Sequence, residues 1–271
     1  MNITKLNLNM EWIIVIVTLL VICVMSWLLN TKKLKVVDVI VINGKFVPIK
    51  VANDSVNYTP GQDLIKKWAE SIVPSLIVSS LIIDHCTYFR PGSTRANFIL
   101  MRAEARDNEG NVLPGVVFLR GKCVAILVQY TKNGITYVVT VEQARIATGK
   151  YCVEAVAGML DGTNNPVGTA MNELREETGI VIPDTSVLVH LGKLYTSQGL
   201  LDEEIELYMY NIPSDENVSR LHNLVTGNTN EGEHIKVKVI KRDDAYKSDD
   251  CKLLALLARA DNRELQVNNS V

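Results

Sequence analysis

The sequence has few cysteines and no excess of either charge. Its five cysteines are odd in number, widely scattered and free of any C-x-x-C pair, which excludes a disulfide framework and a cysteine zinc site. Its four histidines show no metal-ligand spacing. The 28 basic and 30 acidic residues give a net charge of −2, so the broad cationic surface of a nucleic-acid-binding protein is missing. We therefore expect free thiols and no nucleic-acid partner.

One long apolar run stands near the N-terminus. Residues 12–29 read WIIVIVTLLVICVMSWLL without a charge or a helix breaker, and as a helix they would span about 27 Å, enough to cross a bilayer core. Trp12 and Trp27 lie near its ends, and three lysines follow within residues 32–35. The pattern predicts a single-pass membrane anchor with a cytoplasmic main domain. A cleaved signal peptide is the alternative, although no small-x-small cleavage site follows the run.

The remaining chain alternates strand and helix patterns. Asn43-Gly44 within VVDVIVINGKFVPIKV predicts a β-hairpin. Helices are predicted at about 60–71, 169–178 and 248–260, among many strands, which favours an α/β sandwich with a mixed sheet. The predicted organisation is a tail (1–11), an anchor (12–29), a linker with the hairpin (30–59), a main domain (60–262) and a disordered tail (263–271).

Three glutamates mark the most informative segment, residues 157–182. Glu173, Glu176 and Glu177 stand at i, i+3 and i+4 of a predicted helix that Gly179 can end, so they share about 100° of its surface. Crowded carboxylates repel unless a cation binds them. Oxygen ligands without cysteine or histidine favour Mg²⁺ or Mn²⁺, and Mg²⁺ commonly completes its coordination with substrate phosphates. The segment therefore predicts a divalent-metal site that acts on a phosphate compound.

This segment resembles the Nudix box. The matching positions are Gly158, Glu173, Leu174, Glu176, Glu177, Gly179 and Ile180. Asn164 replaces the first glutamate of the box and Asn172 replaces its arginine, which in the family helps to orient the metal-binding carboxylates. The resemblance implies a Nudix-type α/β/α sandwich that hydrolyses a diphosphate.

The resemblance extends over about residues 60–260 and is nearest to the ADP-sugar and ADP-ribose diphosphatase branch. It includes LPGVVFLRG at 113–121, EQAR at 142–145 and YTSQGLLDEEIELYMY at 195–210. In the VEAVAG run at 153–158, where the branch has an E-L-P-A-G run, only Glu154, Ala157 and Gly158 follow the branch. The implied substrate is a nucleoside-diphosphate sugar, which would give AMP and a sugar phosphate.

The resemblance also assigns roles to single residues. Glu173, Glu177 and the Ala157 carbonyl would bind Mg²⁺, with Glu176 supporting or sharing a metal.

Glu203, or failing that Glu204, would be the catalytic base that deprotonates the attacking water. Gly158 belongs to the substrate-binding turn. Arg145 and Arg120 are candidates for phosphate contacts, with surface ion pairs as the alternative for each.

Two other functions stay open. The replacements Asn164 and Asn172 are compatible with a catalytically impaired Nudix-fold binding module. A hydrolase of another Nudix substrate, such as a dinucleotide, a coenzyme A derivative or capped RNA, is the second alternative. The resemblance also implies a homodimer formed through the N-terminal sheet around Asn43-Gly44.

Overall fold

The structure is a computed structural model that describes residues 34–53, 56–88, 96–160, 165–213, 218–227 and 234–268. The helices are α1 (Gln62–Ser71), α2 (Pro166–Thr178), α3 (Arg242–Ala245) and α4 (Cys251–Asn268). The strands are β1 (Lys35–Ile42), β2 (Lys45–Val51), β3 (Ile77–Tyr88), β4 (Ala96–Arg106), β5 (Val112–Leu113), β6 (Val116–Leu119), β7 (Cys123–Lys132), β8 (Ile135–Arg145), β9 (Lys150–Glu154), β10 (Val156–Met159), β11 (Val189–Tyr195), β12 (Glu204–Asn211), β13 (Val225–Thr226) and β14 (Ile235–Lys241). The chain divides into two compact units near residue 115.

The first unit contains a sheet with the strand order β1-β2-β3-β4-β5. β1 and β2 form the predicted hairpin, and Asn43 and Gly44 take φ angles of 50° and 75° at its turn, as a two-residue turn of this kind requires. Residues 69–115, which the sequence assigned to the domain 60–262, group with this unit.

The second unit is built on an eight-stranded sheet with the path β11-β12-β7-β8-β14-β13, to which β9 and β10 add by pairing with β8 and β7. Buried residues of the central strand β7 alternate between two cores, because successive side chains of a strand point to opposite faces. Val124 and Ile126 pack with Leu174 of α2, whereas Ala125 and Leu127 pack with α4. The sheet therefore lies between two helical layers, which confirms the predicted α/β sandwich.

Local sequence sets both ends of α2. Asn165 accepts a hydrogen bond from the Gly168 amide at 3.0 Å, and Pro166 occupies the first turn, as favourable helix starts do. Gly179 ends the helix at a φ of 76°. The helix starts at Pro166, before the predicted start at about 169, because Asn165 caps it and Pro166 fits its first turn.

The predicted transmembrane helix needs correction. In the described ranges no helix is long and apolar enough to cross a membrane. The longest of them, α4, has 18 residues but is amphipathic, with charged residues such as Arg259 and Asp261. Residues 12–29 lie outside the described ranges. We therefore correct the fold class to a mixed α/β fold without the transmembrane helix, and the single-pass membrane localisation and membrane partner drawn from that helix are corrected with it.

The C-terminal helix is longer than predicted. α4 runs to Asn268, into the segment 263–271 that the sequence assigned to a disordered tail. The apolar side of α4 packs on the sheet through Leu253, Leu256 and Leu257, all fully buried. This packing stabilises the helix beyond its local propensity.

Candidate active site

Two of the three glutamates of α2 lie against strand β10. Glu177 is buried, with 5% of its surface exposed, and its Oε2 accepts a hydrogen bond from the Ala157 amide at 3.3 Å. Glu173 lies over Gly158, the next residue of the same strand. Since i and i+4 residues share a helix face, one surface of α2 brings both carboxylates to the same short stretch of backbone.

Gly158 is needed for this approach. A Cβ built on Gly158 would lie 1.9 Å from Cδ and Oε1 of Glu173 and 2.3 Å from its Cγ. Any other residue would therefore displace the Glu173 side chain. The glycine of the motif supplies space for a carboxylate.

Glu176 does not join the other two carboxylates. Its side chain is 50% exposed and lies 3.6 Å from the Arg175 guanidinium. Within the described ranges, no group of three or more His, Cys, Asp or Glu residues is arranged to hold a metal ion. The available donors are thus the carboxylates of Glu173 and Glu177 and the backbone carbonyl of Ala157. This all-oxygen set fits a hard divalent cation that keeps several of its waters.

Arg145 is paired with Glu154 and lies near enough to Glu177 to be affected by its charge. Its Nε and Nη2 each donate to the Glu154 carboxylate at 2.8 Å. These hydrogen bonds, with further contributions from the negative charges of Glu154 and Glu177, raise the pKa of the Arg145 guanidinium, although burial opposes the shift. The Arg145 side chain remains 45% exposed. Arg145 thus has surface left for a phosphate while Glu154 fixes its orientation.

Glu154 is itself held from the other side. Lys252 Nζ lies 3.6 Å from its carboxylate and 2.8 Å from that of Asp250. Asp250 also accepts a hydrogen bond from the Ala155 amide at 2.8 Å. Burial raises the pKa of the Glu154 carboxyl, but the hydrogen bonds and charges of Arg145 and Lys252 outweigh burial and lower it. The start of α4 therefore supports the strand that leads into Ala157 and Gly158.

Glu203 lies in a second polar cluster. Thr196 Oγ1 donates to its Oε2 at 2.8 Å, and Arg120 Nε forms an ion pair with its Oε1 at 2.6 Å. The Cys123 thiol lies 3.4 Å from the same Oε1. Burial and the Glu203 charge raise the pKa of Cys123 to about 12, so this thiol stays protonated and unreactive.

Glu204 has a different environment from its neighbour. Lys122, Lys193 and Tyr195 donate to its carboxylate at 2.7, 2.7 and 2.6 Å. Burial opposes ionisation of Glu204, but these three donors together lower its pKa to about 2. These three side chains occupy the Glu204 carboxylate, so Glu204 is the centre of an ion-pair cluster.

Glu204→Gln is expected to lower the free energy of unfolding by about 2 kcal/mol at pH 7, because both lysines lose their counter-charge but are exposed enough for water to offset part of the loss. The folded-state pKa of Glu204 lies below its ordinary value of 4.5. Its stabilisation is therefore complete above about pH 5 and disappears as the pH falls towards 2. Urea unfolding of both proteins at pH 7 and pH 3 should show the difference shrinking. An equal difference at both pH values would contradict this assignment.

The strand register brings the Glu173–Glu177 cluster and the Glu203 cluster to the same end of neighbouring strands. β7 lies between β10 and β12, and Cys123 of β7 pairs with Met159 on one side and with Ile205 on the other. Because adjacent strands are about 4.8 Å apart, the backbones of Met159 and Ile205 are about 10 Å apart. Gly158 and Glu203 thus stand at the same end of the sheet.

Several members of these clusters were not identified from the sequence. Thr196, Lys252 and Asp250 belong to no sequence motif. Lys252 and Asp250 contact Glu154 and Ala155, which are more than 90 residues away in the chain. Thr196 contacts Glu203 through its hydroxyl. Glu154 was noted only as a match to the branch pattern. The sequence feature that could have indicated a role for Glu154 is its position shortly before Ala157 and Gly158.

Comparisons with known proteins agree with this geometry. A family model described as the NUDIX domain matches residues 119–260. Nudix hydrolase 14, chloroplastic, from Arabidopsis thaliana is 35% identical over 172 residues, which cover 59% of this chain and 56% of that protein. The ADP-ribose pyrophosphatase of Haemophilus influenzae is 28% identical over 146 residues, which cover 51% of this chain and 63% of that protein. The chain thus spans less than two thirds of the length of either relative.

A solved structure, described as an ADP compounds hydrolase, superposes with a TM-score of 0.50 at 12% identity, covering 74% of this chain and all of that one. At this identity the likeness concerns the fold alone. The domain match covers more than half of the 271 residues and includes α2, β10 and both polar clusters. The chain therefore belongs to the Nudix hydrolase family.

Proposed function

We propose that this chain hydrolyses the diphosphate of a nucleoside-diphosphate sugar of the ADP-ribose or ADP-glucose type to AMP and a sugar phosphate. The observation that carries the proposal is the placement of the Glu173 and Glu177 carboxylates on the β10 backbone, where the Glu177 charge also acts on Arg145. The similarity to an ADP-ribose pyrophosphatase supports the substrate class.

Glu173, Glu177 and the Ala157 carbonyl would hold Mg²⁺ or Mn²⁺, with Glu176 able to share a metal from its exposed position. When bound, such a cation neutralises charge on the diphosphate and lowers the pKa of a nearby water. Gly158 contributes by leaving room for Glu173. The residues that surround Glu177 keep its carboxylate buried and oriented before the cation arrives.

Glu203 would accept the proton of the attacking water. The water oxygen forms a new bond to one phosphorus, and the bond from that phosphorus to the bridging oxygen breaks, its electron pair leaving with the second phosphate group. We favour Glu203 over Glu204 as the base because Glu204 is engaged by three donors and has a pKa of about 2. Arg145 and Arg120 would contact phosphate oxygens, since both side chains are partly exposed, with the Arg120 Nε buried against Glu203.

The direct test is turnover by the full-length chain with Mg²⁺ on ADP-ribose and ADP-glucose, with release of the cleaved nucleoside monophosphate, AMP for both ADP-sugars, as the readout. A dinucleotide, a coenzyme A derivative and capped RNA complete the panel. Preference for either ADP-sugar supports the proposal. Faster hydrolysis of any of the other three would replace the substrate class while keeping the metal site.

A second candidate is a catalytically impaired binding module. It is favoured by Asn172, which stands exposed where the box has its arginine, so no guanidinium orients the carboxylates from that position. Asn172→Arg is expected to raise kcat by about tenfold, measured on the same ADP-sugars with a folded variant. Unchanged or lower kcat would mean that the asparagine is not what limits the site.

The predicted homodimer stays a prediction. The surface on the first unit that suits it is the apolar side of the hairpin, where Val39, Val41 and Phe46 are 50%, 55% and 81% exposed. Exposed apolar side chains on an outer strand favour association with another chain.

A further inference from the structure

The C-terminal turn of α2 is held by residues from outside the helix. The last carbonyls of a helix have no partner within it, and α2 satisfies its own in two ways. Gly179 N donates to the Arg175 carbonyl at 2.9 Å. Thr226 Oγ1 donates to the carbonyl of Glu177 at 2.5 Å, and Gly227 N donates to that of Glu176 at 3.3 Å.

These two donors belong to a firmly supported segment. Thr226 lies in β13, which pairs with β14 in the register Val225 to Lys236 and Thr226 to Ile235. Val237 N of β14 donates to the Leu224 carbonyl at 2.9 Å just before β13. β14 in turn pairs with β8, the neighbour of β7 in the main sheet. The donors to α2 are therefore anchored in the main sheet.

Glu177 is consequently held from two opposite sides. Its carboxylate meets the Ala157 amide of β10, and its own carbonyl meets Thr226 of β13. We infer that Thr226 is a positioning residue for the metal-binding carboxylate of Glu177, an inference that rests on the proposed function. The hydroxyl fixes the backbone of the residue whose side chain must reach the cation, although Thr226 itself stands 49 residues away in sequence.

Loss of the hydroxyl should act on cation affinity. Thr226→Val keeps the β-branched shape that suits a strand but leaves a part-buried carbonyl without its donor. The last turn of α2 then shifts to find another partner, and the Glu177 carboxylate moves relative to Glu173. Residues that orient metal ligands typically contribute 10- to 100-fold to metal affinity, so we expect Mn²⁺ binding about tenfold weaker.

The experiment measures Mn²⁺ binding to the full-length chain by electron paramagnetic resonance, beside thermal unfolding and turnover at rising Mn²⁺. Thr226→Val is compared with Thr226→Ser, which keeps the hydroxyl. Thr140→Val is the matched control, because the buried Thr140 also donates its hydroxyl to a backbone carbonyl, that of Lys238 at 3.2 Å, in the same sheet.

Thr226→Val should bind Mn²⁺ about tenfold more weakly and recover turnover at high Mn²⁺, whereas Thr226→Ser and Thr140→Val should bind it within about twofold of the wild type. Equal losses of Mn²⁺ affinity in Thr226→Val and Thr140→Val would overturn the inference. A loss of about tenfold in Thr226→Ser would also overturn it, and that result is decisive even if the valine variant does not fold. A wild-type chain that binds no Mn²⁺ would overturn the proposed function and the inference with it.

Discussion

Glu177→Gln is expected to lower kcat/KM on an ADP-sugar by about 100- to 1000-fold, the loss typical when one preorganised electrostatic contact to the reacting groups is removed. Glutamine retains a carbonyl oxygen for the Ala157 amide, which donates to Glu177 at 3.3 Å. The fold should therefore survive while the negative charge is lost. Initial rates over a range of Mg²⁺ concentrations, together with the melting temperature, measure the effect.

Glu206→Gln is the matched control for Glu177. Glu206 is a part-exposed carboxylate of β12 whose partner is His190 at 2.7 Å, and its strand is separated from β10 by β7. Its kcat/KM should stay within about twofold of the wild type, as is usual for surface substitutions. If Glu177→Gln retains more than a third of wild-type kcat/KM while Glu206→Gln does the same, Glu177 does not bind the catalytic cation.

Gly158→Ala should abolish most activity without unfolding the chain. The added methyl would lie 1.9 Å from the Glu173 carboxyl carbon, so the Glu173 side chain must rotate away from β10. A flexible side chain moves at a cost of about 1 kcal/mol, but its carboxylate no longer lies beside that of Glu177. We expect about a 100-fold loss of kcat/KM and a melting temperature within a few degrees of the wild type, measured by assay and calorimetry.

Gly199→Ala serves as the comparison for Gly158. A Cβ on Gly199 meets no atom within 4 Å, so the same chemical change occurs in open space. Wild-type rates are expected for Gly199→Ala. A crystal structure of Gly158→Ala with Glu173 in its original place, or full activity in this variant, would refute the steric role of the glycine.

Secondary structure followed the local pattern closely where the pattern was strong. Asn43-Gly44 predicted a hairpin turn that requires two positive φ angles, and the structure has them. β7 is a strand of mostly apolar residues, and its first eight residues are buried on both faces of the sheet. Ends were less accurate, because α4 extends to Asn268, beyond Ala260, the last of its residues in the core beneath the sheet. The apolar run at 12–29 predicted a membrane helix that no described helix supplies.

In the site, too, local spacing predicted the positions of residues but not their tertiary contacts. Spacing placed Glu173, Glu176 and Glu177 on one side of a helix, but the strand β10 meets only the first and the third, so Glu176 is left exposed. Glu203 and Glu204 are adjacent and chemically identical in the sequence. Glu203 precedes β12 and contacts Thr196 and Arg120, whereas Glu204 begins β12 and contacts Lys193, so the two carboxylates have different partners.

The sequence by itself determined the Nudix family, the helix with its carboxylate spacing and left-handed glycine end, and the oxygen chemistry that favours Mg²⁺ or Mn²⁺. These features depend on residues within one or two helical turns, where spacing dictates geometry. Only the tertiary structure decided which carboxylates meet β10, why Gly158 must lack a side chain, and how Thr226 holds Glu177 from 49 residues away. Such contacts arise from strand order and packing, which join residues that share no local pattern.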